Sequence, residues 1–174
     1  MRKRQEGFSL IELLIVVAII LIIAAIAIPN LLQAKISANE ASAAGAVHTI
    51  TAAESTYFTA YPSVGYAATI GPLGGASPCT PSSTTACIID NFLATATPGG
   101  TGKSGYYFLA TGVVTGGASF NDAYVIGAAP ISVNYSGNRD FCSVNDGVLR
   151  SQMATTGDLP ASVTSACLAF PVAQ

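Results

Sequence analysis

The chain has 174 residues, 51% of them hydrophobic and only 9% charged, with a formal net charge of −2. That length supports one modest domain, and so apolar and sparsely charged a composition excludes an ordinary water-soluble enzyme. The few cations also argue against nucleic acid as a direct partner.

The first element is a membrane-grade apolar run. From Phe8 to Ile28, Ser9 and Glu12 are the only polar side chains. As a helix this run measures about 31 Å, against a hydrocarbon core of about 30 Å. The preceding MRKRQEG carries Arg2, Lys3 and Arg4, which by the positive-inside tendency hold that end in the cytoplasm and send the remainder outward. Two plain readings exist, a single-pass anchor and a secretory signal peptide cut at Ala25-Ile26-Ala27. Neither accounts for Glu12. A carboxylate inside a span costs on the order of 2 to 3 kcal/mol and marks a residue in search of a cationic partner.

The string Gly7-Phe8-Ser9-Leu10-Ile11-Glu12, after a short basic leader and before an unbroken apolar helix, resembles the prepilin signature of type IV pilins and type II secretion pseudopilins. The resemblance implies that a prepilin peptidase cuts after Gly7, removing 1–7, and methylates the new terminal residue, Phe8. It implies that the apolar helix stays in the mature protein. Subunits then wait in the inner membrane, with the C-terminal part outside the cytoplasm, until an inner-membrane assembly platform draws them into an extracellular homo-oligomeric filament. Electrostatics gives Glu12 a role in that setting. The freed amine of Phe8 on one subunit meets Glu12 of a neighbour, and at about 4 Å and an effective dielectric near 20 the pair gains roughly 4 kcal/mol.

After the span, the helical pattern continues over 29–61. Ala43, Val47, Ile50, Tyr57 and Tyr61 recur at steps of three and four with Glu54 as the odd member, and this stripe predicts an amphipathic helix packed on something. Ala38, Ala41, Ala44 and Ala46 give it a narrow profile. Pro29 removes a backbone donor and is expected to kink or open the helix past the membrane segment; family pilins resemble this chain in having a proline there. Tyr61-Pro62 ends the pattern, because a residue before proline is pushed from helical backbone.

Between 62 and 105 the texture turns to Gly, Pro, Ser, Thr and Ala, as in GPLGGASPCTPSSTTAC, and reads as an irregular connection with at most two short structured pieces. Four cysteines, Cys79, Cys87, Cys142 and Cys167, lack any metal-ligand spacing, so disulfides in an oxidising compartment fit better. Three pairings are open, and the short separations favour Cys79 with Cys87 and Cys142 with Cys167.

From 106 to 174 the pattern is of strands. Tyr106 to Ala110 and Ala123 to Gly127 are rich in β-formers. Asp140 to Val144 and Val148 to Arg150 flank Asn145-Asp146-Gly147, a hairpin signal because Asp-Gly accepts the positive φ of tight turns. The expected fold is therefore α+β: a long N-terminal helix, membrane-spanning over 8–28, packed through its second half on a small antiparallel sheet with a disulfide-braced C-terminal loop. This part is similar to the globular end of many bacterial pilins.

Sites for catalysis, metal and cofactors find little support, and none is expected. Pro98-Gly99-Gly100-Thr101-Gly102-Lys103-Ser104 resembles a phosphate-binding loop, but Thr97 stands at its first required glycine and a strand-like run follows instead of a helix. His48 is alone on the presumed helix. Asp140 and Asp146 read as hairpin turn chemistry, with a calcium ion near that loop, as in some pseudopilins, as the alternative. The function expected is a type IV pilus subunit serving adhesion, motility or related surface roles. Its alternatives are a pseudopilin of a short periplasmic pseudopilus and a membrane-anchored binding or sensor domain.

Overall fold

The structure, a computed structural model, describes residues 9–173. Its elements run α1 (Leu10–Ala60), a 3₁₀ turn (Gly71–Leu73), α2 (Asn91–Ala94), β1 (Tyr106–Val113), β2 (Ala123–Pro130), β3 (Arg139–Val144), β4 (Arg150–Met153) and α3 (Thr164–Leu168). The chain divides into two units, Met1–Lys35 and Ile36–Gln174.

Within the first unit the described residues are helical from Leu10 onward, and the helix runs through Pro29 without interruption. Proline at 29 has no N–H to give the carbonyl of Ala25, four residues back. The Asn30 side chain donates to the neighbouring carbonyl of Ile26 at 3.1 Å.

The second unit holds the core. Ala43, Ala46, Val47, Ile50, Ala53 and Tyr57 of α1 are buried in one cluster with Tyr106, Phe108 and Ala110 of β1, Tyr124, Ile126 and Ala128 of β2, and Phe141 of β3. Spacing at three and four residues puts the first set on one helix face, and period-two alternation puts the others on one sheet face. Among the small residues, Ala46 is buried and Ala44 half-buried, whereas Ala38 and Ala41 are exposed. The helix also carries many hydroxyl residues, poor helix formers. Thr49, Thr51, Ser55, Thr56 and Thr59 each donate to the carbonyl four residues back at 2.9–3.2 Å, which satisfies the hydroxyl inside the helix.

The sheet is four-stranded and antiparallel in the order β1-β2-β3-β4. Both of its edges are covered by the chain itself. On the β1 side, Phe108 N–H donates to Ala96 O at 2.8 Å and Gly112 N–H to Ala68 O at 3.2 Å; on the β4 side, Ser151 N–H donates to Pro171 O at 2.9 Å and Ala173 N–H to Leu149 O at 3.0 Å. Covering its edges keeps the sheet from pairing with foreign strands.

The segment 62–105 is more deeply embedded than its composition suggests. It holds just the 3₁₀ turn and α2 as regular pieces, yet Ala67, Ile70, Leu73, Ile89, Leu93 and Ala96 belong to the main core. Asp90 caps α2 by accepting from Leu93 N–H at 2.8 Å. The hairpin between β3 and β4 differs from the expected one in that pairing starts at Cys142 and Arg150, not at Val148. The cause is the Asp146 carboxylate, which accepts from Val148 N–H at 2.9 Å and from the Arg150 guanidinium, holding Val148 in the turn. Gly147 takes the positive φ of 67° that this turn requires.

Candidate functional site: the N-terminal segment and the braced head

Gly7 and Phe8 lie outside the described residues. Glu12 falls in the first turn of α1, where Leu13 N–H bonds to Ser9 O at 3.2 Å. A carboxylate near a helix N-terminus is favoured by the exposed backbone N–H groups there. Leu10, Ile11, Leu13, Leu14, Ile15 and the apolar residues that follow through Ile28, apart from the half-buried Ala24, are exposed all around the helix. Among the described residues this is one helix long and apolar enough to cross a membrane, with a mean hydropathy of 3.3 over its best window. Side chains of this kind on every face demand lipid or other helices around them.

The family described as the prokaryotic N-terminal methylation motif matches residues 2–28. The chain carries the N-terminal signature of the type IV pilin and pseudopilin family. The chain is also similar to the type IV wide pilus major component PilA4 of Thermus thermophilus, 60% identical over 38 residues. That similarity takes in 22% of this chain and 29% of that protein. No solved structure matches. The long apolar helix, the four-stranded antiparallel sheet and the C-terminal disulfide agree with a pilin fold.

In the second unit Cys79 is bonded to Cys87, and Cys142 to Cys167. The first bond closes the Ser/Thr-rich loop. The second joins β3 to α3 and packs with Val125 and Val144 on the sheet face turned away from α1. The residues that resembled a phosphate-binding loop do other work, since Lys103 Nζ is paired with Asp90 Oδ2 at 2.9 Å. His48 is exposed on α1, and the described residues contain no group of three or more metal-ligating side chains.

Two buried carboxyl groups were not recognised from the sequence for what they are. Glu54, 0% exposed, accepts from Ala67 N–H at 2.9 Å through Oε2, while its Oε1 has no partner. Burial pushes its pKa up to about 7, against the opposing pull of the Ala67 hydrogen bond. Asp140 corrects an expectation. It is not part of the turn, which Asp146 organises, but a β3 residue only 4% exposed, with Oδ1 unpartnered. Burial first, and the nearby Asp158 charge second, raise it to about 7. The sequence signal for Glu54 was its place in an apolar stripe. For Asp140 it was alternation with Phe141, which puts Asp140 on the same sheet face as Cys142.

A third acid, Glu40, ties α1 to the start of β3. It accepts from Asn138 N–H at 2.8 Å and faces Arg139 Nε at 3.9 Å. Tyr106 adds a second anchor there, its hydroxyl donating to Arg139 O at 2.9 Å.

Proposed function

We propose that this protein is the structural subunit of a type IV pilus, held in the inner membrane as a precursor and polymerised through its N-terminal helix into an extracellular filament. The observation that carries the reading is a helix bare of any covering side chains through its apolar length, introduced by the methylation signature and interrupted by one carboxylate. In the membrane, lipid covers it. In a filament, the same helices of other subunits do.

Processing after Gly7 by a prepilin peptidase creates the Phe8 amine, and Glu12 of a neighbouring subunit is its partner. Each charge is costly in a low-dielectric setting while alone, so the pair favours assembly and fixes the axial stagger between subunits. Pro29, just past the span, leaves the Ala25 carbonyl without its helical donor, and this is a place where the helix opens during packing. The similarity to a wide-pilus major component supports a long filament over a short pseudopilus.

Electron microscopy of surface material sheared from cells, with the protein identified in it by mass spectrometry, tests this. Long filaments made of this chain are the expected result. Its absence from such filaments, with the chain retained at the membrane, would overturn the proposal.

A further inference from the structure

Past the end of α1 the chain turns at Pro62 and brings residues 64–69 back against the helix. Glu54 ties the two together, its Oε2 accepting from Ala67 N–H at 2.9 Å, and the ring centroids of Phe58 and Tyr66 lie 4.8 Å apart. On its other side the segment runs beside the β1 edge. Gly112 N–H donates to Ala68 O at 3.2 Å, Thr69 bridges to Thr111, and a methyl group at Gly112 would collide with Ala67 O and the Asn121 side chain. Asn121 O accepts from Tyr66 N–H at 2.8 Å, and the Asn121 side chain donates to Tyr66 O at 2.9 Å. Gly65 and Ala67 are buried while Val64, Ala68 and Thr69 are exposed, so the segment is a lid one chain thick.

Among the described residues no cation meets Glu54 beneath this lid. The carboxyl is 0% exposed and its Oε1 has no partner. The titratable groups packed around it are Tyr57 on α1, Tyr66 in the lid and Tyr124 on β2, phenols that are neutral at ordinary pH. The Tyr57 hydroxyl already donates to Ser83 O at 2.6 Å. His48 is exposed on α1, and the cations of the second unit are paired elsewhere, Lys103 with Asp90, Arg139 with Glu40 and Arg150 with Asp146. A buried carboxylate with one hydrogen bond and no cation is far costlier than the neutral acid. Ionisation therefore favours any motion that brings water to Oε1.

We propose that protonated Glu54 is the latch of this lid: it holds residues 64–69 on α1, and its ionisation lets them lift from α1 and from the β1 edge while the sheet stays folded. Opening releases the proton to water, and closing takes it back. The lid moves in preference to its neighbours because α1 and β1 carry the body of the main core, with Val47, Ile50, Tyr57, Tyr106 and Phe108, whereas the lid adds buried Ala67 and half-buried Tyr66. Burial holds the closed carboxyl up at about 7, and in the open state it returns toward the ordinary 4.5. The lid is thus most firmly shut below about pH 4.5, where the acid is neutral in both states, and loosens as pH rises to about 7. An open lid leaves the β1 edge unpaired at Thr111 and Gly112.

Hydrogen exchange of the full chain in detergent micelles, corrected for the intrinsic pH dependence of exchange and repeated at low denaturant concentrations, tests the latch. The amides of Tyr66, Ala67 and Gly112 should lose protection at least about tenfold between about pH 5 and pH 7. At about pH 7.5 their exchange should be nearly independent of denaturant, the mark of a local opening, while amides of β3 exchange with the steep dependence of global unfolding. Glu54→Gln and Glu54→Leu should each make protection of the lid amides flat in pH over the same range. Protection of β3 reports that a variant is folded; if one variant fails this control the other decides, and if both do the wild-type profile decides alone. A wild-type profile flat in pH, lid amides as steeply dependent on denaturant as those of β3, or an equal fall in a folded variant would overturn the proposal.

Discussion

Glu12 and Glu54 place the same side chain in two apolar settings with opposite outcomes. Glu12 is exposed on the apolar part of α1, and in the proposed filament its partner is the Phe8 amine of another subunit. Replacing Glu12 with Gln or Ala should leave membrane insertion intact and reduce filament assembly; filaments of normal number and length in the variant would contradict the proposed pairing with Phe8. Glu54 is enclosed by its own chain, and burial keeps it protonated up to about pH 7 against an ordinary value of 4.5. Its contribution to stability is thus complete below about pH 4.5 and lost as pH rises through about 7. The size is about 3 kcal/mol, and Asp140 has the same sign. Chemical unfolding of the wild type should show greater stability at pH 5 than at pH 8, and Glu54→Gln should remove a good part of that difference by stabilising the pH 8 state. An unchanged pH profile in Glu54→Gln would count against a buried, protonated Glu54.

At the scale of elements, what could be read from the sequence was what local periodicity encodes. The stripe Ala43, Val47, Ile50 and Tyr57 lies in the core because a 3.6-residue repeat fixes which face of α1 is apolar. The strand runs at Tyr106 and Ala123 and the Asp-Gly turn were visible for the same local reasons. The segment 62–105 was opaque. Its buried residues, Ile70, Leu73, Ile89 and Leu93, have no regular period, since they are placed by long-range bonds such as Ile88 N–H to Leu73 O at 2.8 Å. The burial of Asp140 was hidden too, because the C-terminal segment covers that sheet face only through long-range folding, with Pro160 and Ala161 packed over Gly127. The disulfides brace these two irregular regions. In the chain-entropy account, closing a separation of 25 residues at Cys142–Cys167 contributes roughly 3 to 4 kcal/mol, and closing 8 residues at Cys79–Cys87 roughly 2 to 3 kcal/mol. Denaturant titration of the Cys142→Ser/Cys167→Ser double variant should therefore show the larger loss. A smaller loss than in Cys79→Ser/Cys87→Ser would mean that strain or unfolded-state structure outweighs loop closure.

For the molecule as a whole, the two units differ in how much of their apolar surface the chain itself covers. The unit from Ile36 onward has its own core, two disulfides, and a sheet with both edges covered. The described part of the unit through Lys35 is an apolar helix with no buried residues, and it needs lipid or other helices around it. The proposed assembly into a filament would resolve that contrast, and in the proposal it depends first on the N-terminus that processing creates. Mass spectrometry of the N-terminal peptide of the mature protein from cell-surface filaments is therefore the most direct test. The account predicts a chain that begins at Phe8 and carries a methyl group on its amine. A chain that begins at Met1 or at Ile28 would contradict it.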